Sequence, residues 1–152
     1  MISLTLHYIG KSDQNDDKLE LNMNFYLDID GTIITKDQQQ AGGLKSFLTY
    51  LYKNGEIYWL TTHCKENNIT KVFSYLEPIL DKESFALIQK IKPTSWQTLK
   101  TESIDFSQPF IWFDDYILEA EKIILEKNNA LDNWIKINLQ KNHTLENYIS
   151  KN

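Results

Sequence analysis

"FYLDIDGTIIT", residues 25–35, is the stretch on which the reading of this chain turns. Phe25, Tyr26, Leu27 and Ile29 make an aromatic and aliphatic run, the pattern of a buried β-strand. The run closes on Asp28 and Asp30, one residue apart, and passes into Gly31-Thr32. Carboxylates at the tip of a buried strand repel one another and lose hydration unless a cation or a proton compensates them. The competing reading is an ordinary turn, because Asp and Gly are good turn residues and Asp-Gly is a hairpin signal. Partners elsewhere in the chain decide between the two.

Two further apolar runs end on polar groups. "EIYWL", residues 56–60, leads into Thr61-Thr62, and "PFIWF", residues 109–113, leads into Asp114-Asp115. "WIKIN", residues 134–138, is expected to be the last strand. In "LKSFLTYLYKNG", residues 44–55, Leu44, Phe47, Leu48 and Leu51 recur at helical spacing, with Asn54-Gly55 as a stop signal. Residues 66–79 read as a helix, "ILEAEKIILEKN" as an amphipathic helix and "SWQTLK" as a helical turn. "FALIQ", residues 85–89, fits either a short strand or a helix, and "GTIITKDQQQAGG" reads as a loop. Strands alternating with helices predict an α/β fold with a mainly parallel sheet. Ligands of such sheets bind beyond the carboxyl ends of the strands. Asp28, Asp30, Thr61, Asp114 and Asp115 are therefore expected on one edge, and four gathered carboxylates disfavour a mere turn.

A length of 152 residues suits one domain with one substantial core. Residues 1–22 are expected to form an extension, a strand-like "ISLTLHY" and a polar linker, ahead of a domain over 23–152. With 41% apolar and 24% charged residues, the chain belongs with soluble globular proteins rather than disordered ones. All 16 basic residues are lysines, so bidentate guanidinium clamps on phosphate or guanine are excluded. Together with a net charge of -5, this disfavours a nucleic-acid partner. Cys64 is the single cysteine, which rules out an internal disulfide and suits a reducing compartment. The first residues lack a signal-peptide pattern, and no run approaches the roughly 20 apolar residues of a membrane span. A cytoplasmic location without membrane contact is the resulting expectation.

Four carboxylates with no histidine partner describe a site for a hard cation, with Mg²⁺ as the expected cofactor. Mg²⁺ commonly shares its shell with water and phosphate oxygens, which points to phosphoryl chemistry. One aspartate beside the cation can attack phosphorus, and a second can move protons to the leaving group and from water.

These residues carry a resemblance. Asp28-Ile29-Asp30-Gly31-Thr32 resembles the DxDGT signature of the haloacid dehalogenase superfamily of phosphohydrolases. "IYWLT" is similar to that family's second motif, an apolar strand ending in a phosphate-binding Ser or Thr. "FIWFDD" is similar to its fourth, a strand ending in paired acidic residues that hold Mg²⁺, and the third is a lysine upstream of it. The resemblance covers roughly residues 23–140 and implies a Rossmann-like three-layer sandwich without a large cap domain. It implies Asp28 as nucleophile and metal ligand, and Asp30 as general acid/base with its backbone carbonyl also on the metal. Thr61 and Lys100 would bind the phosphoryl group beside Gly31 and Thr32, and Asp114 and Asp115 would hold the metal. The implied activity is that of an Mg²⁺-dependent phosphatase acting through an aspartyl-phosphate on a phosphorylated substrate, alone or as an oligomer.

Some assignments stay open on the sequence. Thr62 competes with Thr61, since a one-residue shift turns a strand's face over, and Lys92 competes with Lys100. Trp59, Trp96 and Trp112 read as core or rim residues, and His63 as a rim residue. "HCKENNIT", residues 63–70, begins like the loop of a cysteine-dependent phosphatase, but Thr70 stands where that loop carries arginine. Two other functions compete with the phosphatase: a phosphate- or metal-binding regulatory module without turnover, and a phosphatase of polynucleotide ends.

Overall fold

The computed structural model describes residues 22–141 and 144–149. The strand expected in "ISLTLHY" lies outside the described residues. Four strands, β1 (Met23–Leu27), β2 (Gly55–Trp59), β3 (Phe110–Asp114) and β4 (Trp134–Lys136), form one sheet in the order β2-β1-β3-β4. Every neighbouring pair is parallel. Parallel strands need crossovers that cover the sheet, so their side chains are buried on both faces and read as continuous apolar runs. That is why "FYL" and "FIWF" show no polar alternation.

The pleat divides these runs between two cores. Phe25, Leu27, Ile57, Trp59, Ile111 and Phe113 face one side. There they meet Phe47, Leu48 and Leu51 of α1 (Leu44–Asn54), Val72 and Leu76 of α2 (Ile69–Leu76) and Ile88 of α3 (Lys82–Ile88). Tyr26, Phe110 and Trp112 face the other side, against Leu125 of α4 (Glu119–Lys127), Ile104 and Ile117. Phe47 and Phe113 meet edge to face with centroids 5.0 Å apart, a geometry that adds about 0.5–1.5 kcal/mol to simple burial. The result is an α/β, Rossmann-like architecture: a four-stranded parallel sheet with helical cover on each face.

Local chemistry trims the expected elements. The helix expected over 66–79 is shorter, because the Asn68 side chain accepts the Lys71 N–H and starts it at Ile69. "FALIQ" resolves as part of helix α3, which Asp81 caps by accepting the Ser84 N–H at 2.7 Å. Gly55 opens β2 directly from α1. A Cβ there would collide with the Met23 carbonyl, so no other residue fits this close approach of the two backbones. Beyond β2, Lys92 makes a single parallel bridge to Tyr58 and extends the sheet edge by one residue. β4 stops at Lys136, two residues before the end of "WIKIN", and Asp114 lies within β3 rather than beyond it.

Strand order reverses between β1 and β3: from β1 the chain moves outward to β2, and from β3 outward the other way to β4. The crevice at the carboxyl ends of β1 and β3 is therefore the place where a ligand fits between diverging crossovers.

Candidate active site

Three acidic side chains meet in that crevice. Asp28, Asp114 and Asp115 each offer an oxygen, all within 4.8 Å of one another. Asp28 and Asp114 are buried, and Asp115 is half-buried. The Lys100 ammonium donates to Asp28 Oδ1 at 3.1 Å and to Asp114 Oδ2 at 2.6 Å. Asp114 Oδ1 accepts the Tyr116 N–H at 3.1 Å. Burial raises the Asp28 carboxyl above its ordinary range, with Lys100 opposing. Burial, reinforced by the Asp28 charge, pushes Asp114 up to about 9, again against the pull of Lys100. For Lys100, burial acts downward, but the two carboxylates outweigh it and the net shift is upward.

Fully ionised, three carboxylates against one ammonium would carry two net negative charges, which one divalent cation would balance; without it, burial favours the protonated form of Asp114. The donor set is all oxygen, without histidine or cysteine, which fits Mg²⁺ rather than a softer metal.

Two glutamates that stand out in no motif, Glu121 and Glu102, hold the Lys100 segment. The lysine opens a 3-10 turn, Lys100–Ser103, and its backbone N–H donates to Glu121 Oε2 at 2.8 Å. Glu121 is buried, and its other oxygen accepts the Leu118 N–H at the start of α4. Glu102 accepts from the N–H groups of Leu99, Gln97 and Thr98, which lower its pKa and fix the chain just before the lysine. Lys92, the competing lysine, instead pairs with Glu56 at 2.9 Å along β2 and makes no contact with the aspartates.

The expectation that four carboxylates gather is corrected for Asp30, whose side chain stands outside the cluster. After Ile29, which is buried, the chain turns through Gly31 at φ 75°, and the Asp30 carboxylate reaches the loop after β2 and helix α2. There Oδ1 accepts from Tyr75 OH at 2.7 Å and Oδ2 lies 2.6 Å from His63 Nε2. The His63 and Tyr75 rings stack with centroids 4.1 Å apart and planes within 16°. His63 also donates its backbone N–H to Thr61 Oγ1 at 3.3 Å. Thr61 is buried after β2, whereas Thr62 is exposed. Tyr75 escaped the sequence reading because a tyrosine among α2 residues looks like any helix-face aromatic.

Gly31 is tight against Asp115: a Cβ on it would run into that carboxylate. The neighbouring Thr32 hydroxyl is buried with no hydrogen-bond partner among the described residues. A cavity of about 500 Å³ opens beside Asp115, with Gly31, Lys36, Lys136 and Asn138 in its wall. A smaller one of about 290 Å³ lies between Asp30, Tyr75 and Asp115. Of the helices between β2 and β3, Val72, Leu76 and Ile88 pack into the core, and Tyr75 of α2 lines the smaller cavity.

The remaining candidates belong to the two cores. Trp59, Trp96 and Trp112 are buried in the two cores. Cys64 is buried with its thiol toward Thr94 O, and burial pushes the thiol pKa up, the reverse of what a nucleophile requires. Among the described residues no helix is long and apolar enough to cross a membrane. No family model matches this chain, nor does any curated protein or solved structure.

Proposed function

We propose that this protein is an Mg²⁺-dependent phosphohydrolase that passes a phosphoryl group through Asp28. The observation that carries the reading is the Lys100 ammonium lodged between Asp28 and Asp114 at the strand-order reversal, with Asp115 in the same cluster. The fixed Lys100 cation favours the ionised, nucleophilic form of Asp28 against the upward push of burial, and the same cation would face the charge of an incoming phosphate. Asp28, Asp114 and Asp115 would hold Mg²⁺, which when bound supplies the positive charge that lets a phosphate dianion approach an anionic nucleophile.

An Asp28 oxygen attacks phosphorus while the bond to the leaving oxygen breaks. The departing alkoxide takes a proton from the Asp30 carboxylic acid, giving an alcohol and phosphorylated Asp28. Water then attacks the same phosphorus and gives its proton to the Asp30 carboxylate. The phosphorus–Asp28 bond breaks, and inorganic phosphate and the starting carboxylates are restored. Thr61 and Thr32 supply hydroxyls near the phosphoryl oxygens, and Lys100 neutralises charge on them. A panel of phosphomonoesters assayed for phosphate release with Mg²⁺ and with EDTA tests the reading. Mg²⁺-dependent release that is lost in Asp28→Asn is expected; phosphate binding with no turnover on any ester would favour the non-catalytic module.

A further inference from the structure

Asp30 is the most exposed of the four aspartates at this sheet edge, with its side chain 54% exposed. An exposed carboxylate ordinarily samples several rotamers, yet both oxygens of this one are engaged from two separate segments, the loop after β2 and helix α2. The two engaging rings are stacked on one another, so neither can swing without displacing the other. We propose that His63 and Tyr75 form a clamp that positions Asp30 for proton transfer, a role that rests on the phosphohydrolase reading above.

Three features support the clamp. Tyr75 is partly buried and packs its ring against the edge of the core that Val72 and Leu76 enter, while its hydroxyl reaches out of that core to Asp30. Burial pushes the Tyr75 phenol up to about 12, so it stays a hydrogen-bond donor across neutral pH. His63 grips two groups at once, Asp30 through its ring and Thr61 through its backbone N–H. The loop after β2 thereby ties the acid/base to the hydroxyl expected on the phosphoryl group. The cavity bounded by Asp30, Tyr75 and Asp115 leaves the approach for a leaving group open.

Holding a reacting group in place is worth much in rate: misplacement by an ångström costs on the order of 10²-fold. Tyr75→Phe and His63→Phe keep the stacked rings and remove the groups that touch Asp30. Each is expected to lower kcat on an alkyl phosphate by roughly 10- to 100-fold with little change in KM. On an aryl phosphate, whose departure needs little proton help, each variant should release a burst of phenol and then slow, as hydrolysis of phosphorylated Asp28 becomes limiting. In an Asp30→Asn background the same substitutions should cost almost nothing more, because their effect passes through Asp30.

Parent-level kcat on the alkyl phosphate in both folded variants overturns the clamp. An equal loss with and without Asp30→Asn overturns it too, since it marks a purely structural role. If Tyr75→Phe fails to fold by thermal melting, His63→Phe carries the test alone. A parent protein with no Asp28-dependent phosphate release overturns the phosphohydrolase reading itself, and the clamp with it.

Discussion

The Lys100 ammonium lies 2.6 Å from the Asp114 carboxylate, although the lysine belongs to a 3-10 turn and the aspartate to the sheet. Lys100→Met leaves the buried carboxyl groups of Asp28 and Asp114 without their cationic partner. Breaking a buried pair from one side typically costs about 3–5 kcal/mol, so the melting temperature in EDTA should fall well below the parent's. Added Mg²⁺ should recover part of it, because a divalent cation restores the missing charge. Phosphate release should drop by about 10² or more, the usual loss when a charge-stabilising donor is removed. Parent-like melting and turnover in Lys100→Met would refute the role given to this lysine.

Asp28→Asn should abolish turnover while Cys64→Ser leaves it near the parent rate. The thiol is buried against the Thr94 carbonyl, and serine retains a donor for that contact. Steady-state assays of the two variants separate the carboxylate mechanism from a cysteine one, which the opposite result would revive.

Proton linkage gives a signed expectation for stability without metal. Between the ordinary value of 3.8 and about 9, folded Asp114 keeps a proton that the unfolded chain has released. Folding therefore takes up protons in that window, and stability falls as pH rises through it. Asp28 contributes with the same sign, since burial raises it too. The Lys100 contribution is fully present below 10.5 and is lost only as pH climbs through its raised folded value. Cation binding requires the ionised carboxylates, so stabilisation by Mg²⁺ should grow across the same window. Melting curves over pH with EDTA or Mg²⁺ check this; a metal-independent profile would contradict a cation site at this cluster.

The parallel strands could be read from the sequence because burial on both faces removes every polar residue from "FYL" and "FIWF", a pattern that needs no tertiary knowledge. Helix α3 could not, since "FALIQ" is too short for periodicity to speak and its start depends on the Asp81 cap. The choice between Lys92 and Lys100 was equally opaque. Lys92 is fixed by a backbone bridge to Tyr58, and Lys100 by a side chain on α4, Glu121. Asp30 illustrates the deeper limit. Its neighbours in sequence place it with Asp28, but its partners, His63 and Tyr75, are 33 and 45 residues away.

Asp30→Asn separates a working hydrolase from a protein that merely holds phosphate. Losses of about 10² to 10⁴ are expected with alkyl phosphates, the usual worth of a general acid/base. With an aryl phosphate the first step survives better than the second, so phosphorylated Asp28 should accumulate. Intact mass spectrometry after brief exposure to the aryl ester would detect the added phosphoryl group. Parent rates on both substrate types would remove Asp30 from the mechanism.

Gly55 lies at the opposite end of β2 from Thr61, roughly 20 Å away at about 3.3 Å per residue. Its missing side chain lets β2 seat against the Met23 carbonyl, and that seat fixes which residue of β2 stands beside which residue of β1. The crevice is thus calibrated from its far side, as a drawer's front is levelled by the stop at its back. Any side chain at position 55 would lift or slide β2 along β1, and the Thr61 hydroxyl would change height relative to Asp28. On the proposed reading, loss of turnover would begin at a residue on the far side of the sheet from the crevice.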